Sequence, residues 1–110
     1  MLSKHAHPEV LHGLLLSALL AASAGASASQ ALASSKSCLA CHGVTTKLVG
    51  PSFKEVAARY QGRNDAAAVL VEKITKGSTG AWGAIPMPAQ GQLVNAAQAN
   101  ELAAWILTVR

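Results

Sequence analysis

Bulky apolar side chains are scarce in this sequence, and the scarcity limits what it can fold into. Only four of the 110 residues are aromatic: Phe53, Tyr60, Trp82 and Trp105. The hydrophobic share of 51% excludes extended disorder. Much of that share is alanine, which buries little area per residue. The distribution sharpens the shortage. Residues 1–28 hold 16 of the hydrophobic residues and half of the 14 leucines. Residues 29–110 keep just 22 Val, Leu, Ile, Met and aromatic side chains among 82 residues. A domain of that size ordinarily needs a covalent staple or a cofactor to supplement its core.

The first 28 residues read as an address and not as part of the fold. No formal charge lies between Glu9 and Lys36. A nine-residue apolar block, Leu14 to Ala22, is followed by small residues with A-x-A patterns at Ala24-Gly25-Ala26 and Ala26-Ser27-Ala28. That order is the pattern of a cleaved secretory signal peptide, although Lys4 and Glu9 leave its leading segment weakly positive. The block is short against the roughly 20 residues of a bilayer-spanning helix. An uncleaved membrane anchor is the competing reading. Cleavage after Ala26 or Ala28 would remove His5, His7 and His12. The exported domain would then be residues 29–110, in the periplasm.

Along that domain the apolar spacing is helical and no alternating β pattern is sustained. Residues 30–41 carry no helix breaker and predict a short helix leading into the cysteines. Ser52 and Glu55 have capping-box spacing directly after Pro51, with Phe53, Val56 and Tyr60 on one face. Asn64 or Asp65 can cap a further helix bearing Val69, Leu70 and Ile74, which Gly77 ends. Three glycines and two prolines between Gly77 and Pro88 mark a loop. A last helix is predicted from about Asn95 to Val109, with Leu102, Trp105, Ile106 and Val109 aligned. The fold class is all-α. The net charge of +4 is scattered along the chain, unlike the clustered stripe of a nucleic-acid binder.

Cys38-Leu39-Ala40-Cys41-His42 is C-x-x-C-H, the attachment signature of c-type haem. Cysteines three apart on one turn can form thioethers along one porphyrin edge, and the adjoining histidine can bring an imidazole nitrogen to the iron. Other uses of the pair are less well supported. A redox C-x-x-C expects a βαβ context, which is lacking. A structural zinc site needs four ligands, and residues 29–110 offer two Cys and one His. A simple disulfide stays open for an exported protein. Beyond the leader, His42 is the only histidine and Met87 the only methionine. Met87 lies between Pro86 and Pro88, whose fixed φ stiffens the segment. Elimination makes it the sixth iron ligand, with a gap-filling core side chain as the alternative. A His/Met pair closes the coordination sphere and favours outer-sphere electron transfer over binding at iron.

The full set of motifs resembles the class I cytochromes c, specifically the small bacterial cytochrome c551/c8 family. The matching residues are Cys38–His42, Lys47-Leu48-Val49-Gly50-Pro51, Phe53–Ala57, Gly77-Ser78, Gly80–Gly83, Ile85-Pro86-Met87-Pro88 and the final helix with Trp105. They span residues 30–110. The resemblance implies about four short helices wrapped around one covalent haem c. It implies His42 and Met87 as axial ligands, and the Pro51 carbonyl orienting the His42 ring. It also implies the Trp82 indole N–H on a haem propionate, and Lys73 as a basic residue nearby. Each of these last three has a plainer reading: a helix start, a core side chain and a solvated lysine. Ala84 replaces a proline common in the family, and Gln90 an asparagine; Gln90 receives no role. The implied function is one-electron carriage, not enzymatic catalysis, by a monomer that binds no nucleic acid. Its partners would be redox proteins such as a bc1-type complex, nitrite reductase, cytochrome c peroxidase or terminal oxidase. Eight Lys/Arg against four Asp/Glu in residues 29–110 would favour acidic partner surfaces. The rival classes are a haem enzyme or gas sensor with an open iron position, and a haem-free thiol or metal-binding protein.

Overall fold

A computed structural model describes residues 25–110. The expected leader lies outside the described residues except for residues 25–28, which are helical and exposed. Four α-helices and one short 3-10 turn follow in order, with no strand among the described residues. They are α1 (residues 25–35), the 3-10 turn Cys38–Ala40, α2 (Phe53–Tyr60), α3 (Ala66–Lys76) and α4 (Ala96–Ile106).

Local chemistry accounts for most boundaries. Ser52 caps α2 by accepting from the Glu55 backbone N–H, while the Glu55 carboxylate accepts from the Ser52 N–H at 2.8 Å. Asn95 and Gln98 form the same reciprocal box at the start of α4. Gly77 ends α3 at φ +81°, a left-handed conformation that side chains other than glycine adopt at a cost. Asp65 stands at the cap of α3 without capping it; its carboxylate is bound by Arg63 instead.

Two helices depart from the sequence expectation. The helix predicted over 30–41 is split: α1 stops at residue 35, and Ser37 turns left-handed at φ +62°. The cysteines therefore stand on a separate 3-10 turn, and Cys41 is exposed. The last helix ends at Ile106, before the predicted Val109. Thr108 and Val109 instead donate to Trp105 and Ile106 in single turns.

The core gathers on α4. Its Ala99, Leu102, Ala103, Trp105 and Ile106 are buried with Phe53, Val56 and Tyr60 of α2 and with Ala66, Leu70 and Ile74 of α3. Ala33 of α1 joins them, as fully enclosed as Ala99 and Ala103. Ser29 on α1 donates to Glu101 on α4 at 3.2 Å, so the first and last helices lie side by side. Ala33, Ala99 and Ala103 are fully enclosed members of the core despite the small area each buries. No helix among the described residues is long and apolar enough to cross a membrane.

Candidate cofactor site

The 3-10 turn points its cysteines at a cavity of about 330 Å³ whose lining is almost wholly apolar. Cys38, Cys41 and His42 line it, with Leu70, Lys73 and Ile74 from α3 and Leu102 and Ile106 from α4. Met87, 45 positions after His42 in the chain, lines the same cavity. Four groups able to hold a haem iron and its macrocycle therefore converge here: two thiols, an imidazole and a thioether.

His42 is fixed from three sides. Its Nδ1 lies 2.8 Å from the buried Pro51 carbonyl oxygen, to which the protonated ring nitrogen donates. That bond leaves Nε2 as the nitrogen free to coordinate. The ring stacks on Phe53 at 5.1 Å between centroids and 15° between planes. Phe53 in turn meets Trp105 of α4 edge-on at 5.3 Å. On the remaining flank, a methyl at Gly50 would come within 2.7 Å of His42 Cε1, so glycine is needed for the ring to sit there. Gly50 N–H also donates to the Cys41 carbonyl at 2.8 Å, closing the loop back on the motif.

Burial pushes the Cys38 thiol above its ordinary value, chiefly by desolvation. Redox C-x-x-C pairs show the opposite, a depressed thiol.

Met87 is half-buried and held by its backbone. Its N–H donates to the Ser78 carbonyl at 2.8 Å and its carbonyl accepts from the Ser78 N–H at 3.0 Å. Lys73 reaches Ser78 Oγ at 3.4 Å, beside the methionine segment. Like Pro51, Trp82 does not line the main cavity; it lines a second groove with Pro51, Lys47, Glu55 and Ile85. The Arg59 guanidinium sits 4.2 Å above its ring and bonds the Ala81 carbonyl. Arg59 is the cation packed on Trp82.

Sequence reasoning missed Phe53 as the support of His42 and Arg59 as the partner of Trp82. Both pairs join different segments, so no local spacing announces them. Leu93 lines the main cavity without a prior signal, and Gln90, noted in the sequence as replacing a family asparagine but given no role, lines it too.

The donor set, the apolar lining and the engaged Nδ1 fit one covalent haem. Comparison with known proteins agrees. The cytochrome c family model matches residues 26–110. Cytochrome c-552 of Hydrogenobacter thermophilus is 47% identical over 83 residues, covering 76% of this chain and 83% of the relative. Cytochrome c-551 of Pseudomonas aeruginosa is 44% identical over 90 residues, covering 82% and 85%. The crystal structure of Nitrosomonas europaea cytochrome c552 superimposes with a TM-score of 0.71 at 49% identity, covering 74% of this chain and 99% of that one. The shortage of core side chains, the C-x-x-C-H turn facing an apolar cavity and these likenesses have one explanation: the chain belongs to the cytochrome c family, as a small class I member that holds one covalent haem c and carries electrons to and from redox partners without being an enzyme.

Proposed function

We propose that this cytochrome works in the periplasm as a soluble monomer with His42 and Met87 as axial iron ligands and Cys38 and Cys41 as the thioether links. The observation that carries the reading is the convergence of these four side chains on one apolar cavity. The bound group supplies a reversible one-electron change at iron. The chain's residues do the rest. Pro51 holds the His42 ring at one orientation through Nδ1. The apolar lining excludes water, and His42 and Met87 together would hold the iron without leaving a position for a substrate. Trp82 and Lys73 serve the propionate side, Trp82 by its indole N–H and Lys73 by charge; for Trp82 the support is family resemblance.

Residues 1–28 act as the export signal, removed after Ala26 or Ala28. The partners fall among bc1-type complexes, nitrite reductases, cytochrome c peroxidases and terminal oxidases. The basic excess of residues 29–110 favours acidic docking surfaces.

Intact-mass measurement of the exported holoprotein tests attachment and cleavage together. The expected mass is that of a chain beginning near Ser29 plus one haem; a mass retaining the leader overturns cleavage in favour of an uncleaved anchor. Carbon monoxide tests the ligation. The reduced native protein is expected to bind it poorly, and rapid binding would overturn the Met87 assignment.

A further inference from the structure

The methionine segment is not a free loop: it is seated on the C-terminal end of α3. The last carbonyls of a helix have no partner within it. In α3 the Lys73 carbonyl is taken by the Gly77 N–H at 3.0 Å. The next two, on Ile74 and Thr75, accept from the N–H groups of Gln90 and Gly91 at 2.9 and 3.1 Å. Those two donors follow Met87 by only three and four positions. On its other flank Met87 is bridged to Ser78, two residues past the helix. Both ends of the segment are thus pinned to one helix terminus.

Gly77 sits between the two pins. A Cβ placed there would lie 2.6 Å from the Met87 carbonyl oxygen, 2.9 Å from the Ala89 nitrogen and 3.2 Å from the Pro88 carbonyl carbon. All three atoms are backbone, so no side-chain rotation relieves the clash. The Gln90 side chain adds a brace, donating from Nε2 to the Pro88 carbonyl at 3.0 Å.

We propose that Gly77 is a positioning residue for Met87: its missing side chain lets the methionine backbone close onto the end of α3 and so sets the reach of the sulfur. The inference rests on Met87 as an axial ligand. The tests use the full-length holoprotein, in which the thioether links retain the haem whatever happens to the methionine. In Gly77→Ala the sulfur-to-iron charge-transfer band of the oxidised protein should be lost or strongly weakened. The reduced protein should gain carbon monoxide binding, while the covalent haem mass is unchanged. Gly62→Ala is the control. Gly62 has nearly the same φ, +79°, but a methyl there would meet nothing within 4 Å, so the variant places an alanine at positive φ without the collision. Its band should match wild type.

Equal spectra for Gly77→Ala and Gly62→Ala would overturn the inference. If Gly77→Ala does not accumulate, Gly91→Ala carries the same test, because its Cβ would meet the Thr75 carbonyl oxygen at 2.9 Å on the same seat. An unaltered band there overturns the inference too. Met87→Ala separates the two readings. Wild type with a sulfur band that Met87→Ala abolishes, but Gly77→Ala keeps, refutes the positioning role alone. A wild-type protein without the band refutes the ligation and this inference with it.

Discussion

The two sides of the cofactor cavity are built on different principles. On the His42 side, one bond to the Pro51 carbonyl is backed by side-chain packing: the ring is stacked on Phe53, Phe53 is packed on Trp105, and Phe53 and Trp105 are both buried. On the Met87 side the backbone does it, through hydrogen bonds to Ser78, Ile74 and Thr75, while Ile85 next to the Pro-Met-Pro stretch is 68% exposed. One proposed ligand, the half-buried His42, rests on the core through Phe53, and the other is mounted on a helix end. An element with few buried apolar contacts opens at lower free energy than the core does. The methionine should therefore be released before the histidine as conditions become harsher.

The largest effect that could break this contrast is on the histidine side. Phe53→Ala removes a buried aromatic and the support of the ring, and should cost about 3–5 kcal/mol in denaturant unfolding of the holoprotein. A cost near that of a surface substitution would mean that the His42 wall is not part of the core. Met87→Ala should separate function from stability. The reduction potential should fall, since a His/Met pair raises it, while the unfolding midpoint moves less than in Phe53→Ala. Voltammetry and denaturation of the same sample check both halves.

Ser52→Ala tests the frame under His42 more gently. It deletes the cap of α2, directly after the Pro51 carbonyl, and should cost about 1 kcal/mol. The same box makes a pH prediction. The Ser52 backbone N–H, then its hydroxyl, hold the Glu55 carboxyl below its ordinary range. A depressed folded value means this contribution is fully present above the unfolded carboxylate range and lost as pH falls through the folded value. Acid titration of stability should therefore lose part of its slope in Ser52→Ala. The smallest effect marks the background. Lys76→Ala removes an exposed i,i+4 pair with Glu72 at 3.4 Å and should change thermal stability by no more than about 0.5 kcal/mol.

What could be read from the sequence was whatever chemistry sets over a few residues. The C-x-x-C-H signature, the Ser52–Glu55 box and the stop at Gly77 are all short-range devices, and the structure has each of them where the spacing puts it. The Met87 location in a Gly/Pro-rich loop was equally local. What could not be read was the contact between distant segments. Nothing near Phe53 says that it will meet His42, and nothing near Arg59 says that it will cover Trp82. The break at Ser37 was hidden for another reason: a serine adopting positive φ carries no warning in its identity. The enclosed alanines were hidden because each buries so little area.

The pairing of α1 with α4 also bears on the order in which this protein can form. Ser29 and Ala33 belong to its first helix, Glu101 and Ala103 to its last, so the two ends of the domain are neighbours. Contacts between residues some 70 positions apart require the whole intervening loop to be closed first. A growing chain cannot complete them until its final residues have emerged. Until then the Cys38–His42 turn remains unenclosed by α4, and its two thiols stay open to the chemistry that joins them to haem.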